Sequence, residues 1–314
     1  NGANHDLVGA ADTPLDPIIG ALDDYGGSTP THSLLVGSPA IDAGDSAEAI
    51  DQRGVNRPSD GDEDGVFADD IGSFEAGLVT LTLGQPGPFV LSFDDGELLL
   101  SRATEDEQNV QPVVVIGPLG TILGGDRDDR LLLDLSNGDF LPEFFTIDLG
   151  GQSSSGGDSL EIRGGEEPLD FVVYILTGPG EWTLSFGGHT VVIRGVESIT
   201  DLLSSTEHHF NYSNAADQLT LSGSDNSDLI SPLLQIESAG TAPAVTFAMP
   251  TWAISISTNG GNDHLRIADS VPDTGVWIHA EGGAGENRFQ GGISSEGLSG
   301  SEGNDTLLGG GGND

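Results

Sequence analysis

The sequence predicts an all-β protein, a right-handed parallel β-helix or β-solenoid that ends in a glycine-rich roll. Three observations predict it. Short apolar runs alternate with Gly, Asp and Asn turns through the middle of the chain, and no helical period runs through them. An acidic residue followed by an alternating apolar pair recurs at Asp129, Asp158, Asp217 and Asp263. From Gly282 onward the chain repeats every nine residues without a break. The chain divides accordingly into residues 1–76, 77–281 and 282–314.

The first region is loop-like and rich in Pro, Gly and Asp. Its ordered phrases are Asp16-Pro17, Gly26-Gly27, Thr29-Pro30-Thr31-His32, Gly37 to Asp45 (GSPAIDAGD), Asp51-Gln52-Arg53-Gly54, Arg57-Pro58 and Asp70 to Glu75 (DIGSFE). On these phrases the region resembles the C-terminal end of the choice-of-anchor Q domain, a module of large bacterial surface proteins. The resemblance implies the closing part of a right-handed parallel β-helix at a cell surface. It implies nothing about chemistry.

Near the end of this region, Asp60-Gly-Asp62-Glu-Asp64-Gly65 has the D-x-D-x-D-G opening of a calcium loop, in which alternating carboxylates converge around a sharp Gly turn. The twelfth position, where a bidentate Glu belongs, is Ile71, which leaves Asp69 or Asp70 to substitute. The phrase reads equally as a solvated acidic loop between two modules.

In the second region the steps between the four repeated aspartates are 29, 59 and 46 residues, and 24 more reach Asn287. Taken as double steps, 59 and 46 give coils of roughly 23 to 30 residues, the length of a β-helix coil. An interrupted solenoid from residue 77 to residue 314 satisfies this spacing. One segment, VTLTLGQPGPFVLSFDDGELLLS, has turns so short that a hairpin fits it equally well. Asn259-Gly-Gly-Asn262-Asp263 is the best single turn outside the tail: Asp263 either binds an ion with the Asn287 coil or makes a local turn hydrogen bond. Its frame is broken by the 24-residue step, which predicts a smaller share in any ion site.

The third region carries the chemistry. Its units are GGAGENRFQ, GGISSEGLS, GSEGNDTLL and GGGGND, and Gly holds ten of the twelve first, second and fourth positions. The eighth position is apolar where present (Phe289, Leu298, Leu307), and the sixth is an oxygen ligand each time: Asn287, Glu296, Asp305, Asp314. This is the G-G-x-G-x-D-x-U-x pattern of a calcium-binding parallel β-roll. A Gly/Asp-rich tail also has the composition of a flexible linker; the constant register is what separates the two.

The spacing has a mechanical meaning. Two nine-residue units complete one coil, so units i and i+2 stack at about 4.8 Å. That places Asn287 over Asp305 and Glu296 over Asp314, with loop carbonyls such as those of Gly303 and Gly312 facing the same gap, where a hard cation finds six to eight oxygens. Asn287 and Glu296 depart from the Asp consensus. Without calcium the tail is too charged and too poor in large apolar groups to offset its ordering entropy.

The tail resembles RTX (haemolysin-type calcium-binding) repeats. The middle region resembles the degenerate RTX-related solenoid repeats of giant bacterial surface proteins, in Asp134 to Gly138 (DLSNG), Gly150 to Leu160, Thr177 to Gly180 (TGPG), Asn214 to Leu221 and Asn259 to Leu265. The resemblance implies a secreted or cell-surface spacer or adhesin-like arm, with calcium as its cofactor and an extracellular polysaccharide or cell-surface ligand as its partner.

Composition sets the limits. The chain has 314 residues and 51 acidic against 9 basic side chains, a formal charge of −42. All nine basic residues are Arg. Such a surface repels nucleic acid and anionic membranes and attracts divalent cations. Without Cys there are no disulfides, no thiol catalysis and no zinc-thiolate site. No apolar run approaches the roughly 20 residues of a membrane span.

His208-His209 invites a metal or general-base reading. No carboxylate–histidine–nucleophile set is recognisable beside the pair, which reads instead as a polar strand edge. Glu197 reads as facing a turn. A catalytic alternative remains because parallel β-helices host polysaccharide-active enzymes, but the lack of Lys and the scatter of Arg remove most candidate bases. The expectation is a structural segment and not an enzyme.

Overall fold

In the computed structural model the described residues are 9–10, 13–23, 25, 28–35, 37–61, 66–77, 79–83, 87–94, 97–102, 112–115, 119–138, 141–151, 157–165, 168–224, 232–240 and 242–314. Among them there is no helix, and the protein is all-β.

The N-terminal region holds one antiparallel pair, β1 (Ile19–Asp23) with β2 (Thr31–Leu34), and three isolated antiparallel bridges. Its described residues contain no parallel pairing, which the expected β-helix end would have required. Loops fold instead around a small core of Leu34, Ala40, Phe74 and Ala76. Buried carboxylates fix those loops. Asp51 accepts the backbone N–H groups of Arg53, Val55 and Glu75 and pairs with the Arg53 guanidinium, which lies 3.4 Å from the Phe74 ring centre.

From Val79 onward the chain alternates between two sheets. The first contains β3 (Val79–Thr82), β7 (Leu119–Gly125), β9 (Phe144–Gly150), β11 (Leu169–Gly178), β12 (Glu181–Phe186), β13 (His189–Arg194), β15 (Ser205–Asn211), β19 (Ala253–Ser257), β21 (Trp277–Glu281) and β23 (Glu296–Ser299). The second contains β4 (Gly87–Asp94), β5 (Glu97–Arg102), β6 (Val113–Val115), β8 (Asp129–Leu135), β10 (Ser159–Gly164), β14 (Ser198–Asp201) and β16 (Gln218–Ser224). It continues with β17 (Leu233–Ser238), β18 (Ala244–Ala248), β20 (His264–Ile267), β22 (Arg288–Gln290) and β24 (Thr306–Leu308).

Strands from successive passes pair in parallel, as in β8–β10–β14 and β20–β22–β24. Three passes are enlarged. At β4–β6, β11–β13 and β16–β18 one strand is replaced by a three-stranded antiparallel meander. In the two internal meanders the last strand lies beside the earlier pass and the first beside the later one: β13 pairs with β9 and β11 with β15, β18 with β14 and β16 with β20. The hairpin alternative therefore holds for β4–β5, where Asp94 faces Glu97.

The meanders correct the expected coil length. The 46-residue step from Asp217 to Asp263 is a single pass, since Gln218 pairs directly with His264. It is long because it contains β17 and β18. The inward positions of both sheets follow the two-residue strand period, as in Leu131, Leu133 and Leu135 of β8 or Trp182, Leu184 and Phe186 of β12. They form one core that runs from Leu83 to Phe289. No boundary separates residues 77–281 from 282–314 in that core or in either sheet.

Candidate metal centre

The tail folds as its spacing requires. Units one and three supply β22 and β24 to the second sheet and unit two supplies β23 to the first, so Arg288 faces Thr306 and Phe289 faces Leu307, eighteen residues on. Each nine-residue unit makes a turn and then a short strand. Phe289 is fully buried in the core.

The sixth-position side chains stack in the expected pairs. Asp305 Oδ1 accepts the Asn287 backbone N–H at 2.8 Å, and Asp314 Oδ1 accepts that of Glu296 at 3.3 Å. The first column continues upstream: Asn287 Oδ1 accepts from Asp263 N–H at 3.0 Å, and Asp263 Oδ1 from Asp217 N–H at 2.8 Å. Asp217, Asp263, Asn287 and Asp305 thus form one column ahead of β16, β20, β22 and β24. The 24-residue step does not break it. Ile278 faces Glu296 at the regular eighteen-residue offset, so the extra residues sit in the loop between β20 and β21.

Close approach explains the glycines. A Cβ at Gly285 would lie 1.7 Å from the Gly261 carbonyl oxygen, at Gly303 1.6 Å from that of Gly285, and at Gly312 1.9 Å from that of Ser294. Fourth-position glycine therefore lets one turn rest its carbonyls on the next. First-position glycine makes room for the ligand of its own unit: a Cβ at Gly300 would meet the Asp305 carboxylate at 2.3 Å and one at Gly309 would meet Asp314 Oδ2 at 2.4 Å. At Gly291 the space a Cβ would fill is lined by oxygen, with Gly309 O at 1.9 Å and Glu296 Oε2 at 2.8 Å.

The electrostatics of these rungs are unfavourable to bare carboxylates. Glu296 is fully buried; its Oε1 faces the Gly292 N–H at 3.4 Å, and its Oε2 is buried with no hydrogen-bond partner. Burial, and then the neighbouring Asp314 and Asp273, push its carboxyl up to about 7. Burial also raises Asp263.

A second column lies upstream. Asp158 Oδ1 accepts the Asp129 N–H at 2.5 Å, and Glu197 Oε2 accepts the Asp158 N–H at 2.5 Å. Glu197 does face a turn, and its carboxylate continues the column of Asp129 and Asp158. Sequence spacing missed this because the β11–β13 meander stretches that pass. Burial pushes Asp158 up to about 6, aided by the charges of Glu197, Asp129 and Asp128. The column stops before Asp217, where β17 and β18 stand between β14 and β16.

The acidic loop behaves differently. Asp62 and Asp64 lie outside the described residues, and Asp60 is partly buried. Asp70 is engaged within the module: its two oxygens accept the backbone N–H groups of Asp42 and Ala76, and burial pushes it up to about 6. Asp69 is likewise held by the Ser46 N–H at 2.8 Å. Both residues close the N-terminal module upon itself.

His208 is not on a polar edge. It is fully buried, with Nδ1 2.9 Å from Ser205 Oγ and Nε2 3.2 Å from Asp201 Oδ2, and Tyr174 donates to the same Asp201 oxygen at 3.0 Å. A carboxylate–histidine–hydroxyl set therefore exists, and the spacing Asp201, Ser205, His208 across one strand turn is the signal that would have found it. Its imidazole packs against Phe210 and Phe247, and all three members are sealed between the sheets. It is a satisfied core network with no face toward a substrate. His209 points outward and meets Glu207 at 2.9 Å.

Among the described residues no three His, Asp or Glu side chains gather as a ready-made cage. A cation at the tail rungs would take carboxylates from two units and fill its shell with turn carbonyls and water. Every donor there is oxygen, which suits calcium and not a soft metal. Comparison with protein-family models, curated proteins and solved structures finds no match.

Proposed function

We propose that this chain is a calcium-stabilised β-solenoid segment, structural and not enzymatic, of a large secreted or cell-surface protein, where it serves as a spacer or adhesin-like arm. One observation carries the reading: nonapeptide units two apart stack in register, with Glu296 Oε2 buried without a donor in an oxygen-lined gap beside Gly309 O. A divalent cation there neutralises carboxylates whose mutual repulsion opposes stacking, and so couples ordering to an extracellular calcium supply. Affinities of order 10⁻⁴ to 10⁻³ M suit that setting. The alternating two-sheet topology supports an extended arm, whose exposed face would meet polysaccharide or a surface ligand.

Urea unfolding of the full chain, in chelator and in millimolar calcium, tests the reading. Calcium at about ten times its dissociation constant adds about 1.4 kcal/mol per site, so the midpoint rises. Identical curves in the two buffers overturn the proposal.

A further inference from the structure

We infer that the upstream column of Asp129, Asp158 and Glu197 holds a second divalent cation of the calcium type, in a part of the chain without nonapeptide repeats. Asp158 is fully buried; one of its oxygens is fixed by the Asp129 N–H, while Oδ2 is buried with no hydrogen-bond partner. Asp129, 1% exposed and one strand away, is held locally: Oδ2 accepts the Gly125 N–H at 2.9 Å and Oδ1 is buried without a partner. The Asp129 N–H bond turns the Asp158 carboxylate toward the preceding pass, whereas the Gly125 N–H bond holds Asp129 within its own turn, and each residue keeps one buried oxygen without a donor.

Glu197 closes the column. Its carboxylate sits on the Asp158 N–H and against Gly157, where a Cβ would lie 3.0 Å from Glu197 Oε2. Among the described residues no arginine pairs with Asp129, Asp158 or Glu197. Three carboxylates at one strand spacing, about 4.8 Å apart, therefore lack a paired arginine among the described residues, and the charge of Asp128 acts on Asp158 as well. A water molecule supplies donors to the free oxygens but no positive charge. A hard cation supplies the charge and accepts oxygen ligands without strict geometry, which two carboxylates, turn carbonyls and water provide. A surface depression lined by Gly157, Ser159 and Ser198, the chain neighbours of Asp158 and Glu197, and by Arg130 lies beside the column.

This site does not depend on the tail, and the experiment separates them. Calcium chloride is titrated calorimetrically into the full chain, into a tail-neutralised chain (Asp263→Asn, Glu296→Gln, Asp305→Asn, Asp314→Asn) and into Asp158→Asn and Glu197→Gln, with folding checked by circular dichroism. The tail-neutralised chain retains one equivalent of calcium binding. Asp158→Asn loses one equivalent from the full chain, and Glu197→Gln, altered at an exposed side chain and so expected to fold, weakens the same equivalent tenfold or more. The inference is overturned if Glu197→Gln leaves every calcium equivalent unchanged, or if a folded tail-neutralised chain binds no calcium. It is equally overturned if Asp158→Asn raises the urea midpoint with calcium binding intact, because the column would then hold a shared proton in place of a cation.

Discussion

Gly285→Ala tests the stacking of turns most directly. The new Cβ would stand 1.7 Å from Gly261 O, about half the 3.4 Å at which ordinary contact begins, and the backbone there has φ +136°. The two turns must therefore part by more than 1.5 Å. Across that gap run Ala284 N–H to Asn259 O, Gly261 N–H to Ala284 O and Asp263 N–H to Asn287 Oδ1, at 3.1, 2.9 and 3.0 Å. None survives such a displacement. At about 1 kcal/mol net each, with about 1 to 3 kcal/mol for the backbone strain, the expected loss is about 4 to 6 kcal/mol. Gly275→Ala is the control, because it too has positive φ (+83°) but nothing within 4 Å; it should cost about 1 to 2 kcal/mol. Urea unfolding of the full chain, followed by tryptophan fluorescence in saturating calcium, measures both. Equal losses would mean that the turns do not rest on one another as described.

In chelator, stability should fall as pH rises from about 4 to about 7, because Glu296 and Asp158 keep protons in the folded state that their unfolded forms have released. On the proposed reading calcium would compete for the same oxygens and flatten that slope; a midpoint that rises with pH in chelator contradicts the assignment. Asp263→Ala should lower calcium affinity at least as much as Asp305→Ala, tenfold or more, since Asp263 is buried between Asp217 and Asn287 in an unbroken column; a clearly smaller calorimetric loss refutes this. Asn287→Asp should tighten calcium binding and lower the midpoint in chelator, and a change in neither would remove this rung from the ion path. Arg53→Met should cost the N-terminal module about 3 to 5 kcal/mol by leaving Asp51 buried without its cation. Hydrogen exchange confined to residues 37–77 would register that loss; unchanged exchange would show that the ion pair is dispensable.

The stacked pairs of the tail were legible because a nine-residue frame fixes both partners at once: Asn287 with Asp305 and Glu296 with Asp314 follow from counting alone. Strand existence was legible from two-residue alternation. Strand partners were not, because LLQIES in an antiparallel meander alternates just as HLRI does in a parallel pair. Each meander inserts two strands without altering any local pattern, so the coil period could not be recovered from Asp158, Asp217 and Asp263. For the same reason Glu197 was hidden from the column it belongs to. His208 was misread because its neighbours in sequence are polar, whereas burial is decided by the face of β15 it occupies. In the N-terminal region the quoted phrases mark the residues that build the module, Asp51, Arg53, Asp70 and Glu75 among them. Their chain order does not disclose that the carboxylates bind backbone N–H groups.

The two columns pose one energetic problem and contain its remedies. Ionised carboxylates at one strand spacing, about 4.8 Å, repel by about 1 kcal/mol in water and about 3.5 kcal/mol at an effective dielectric near 20. The charge-assisted bond from each backbone N–H returns about 1.5 to 3 kcal/mol. A rung of two carboxylates therefore sits near balance and cannot repeat freely in a chain of charge −42. Asn287 relieves the tail column by keeping the acceptor for Asp263 N–H while removing a charge, and its Nδ2 donates to Gly300 O at 3.2 Å. Protonation relieves Glu296 and Asp158, at the cost of acid-dependent stability. A cation between carboxylates relieves any rung it reaches and leaves the charge outside intact for solubility. On the proposed calcium reading, the departures of Asn287 and Glu296 from the Asp consensus let the column stand without the ion, and Asp263 and Asp305, which flank Asn287 in the column, are where calcium would add most.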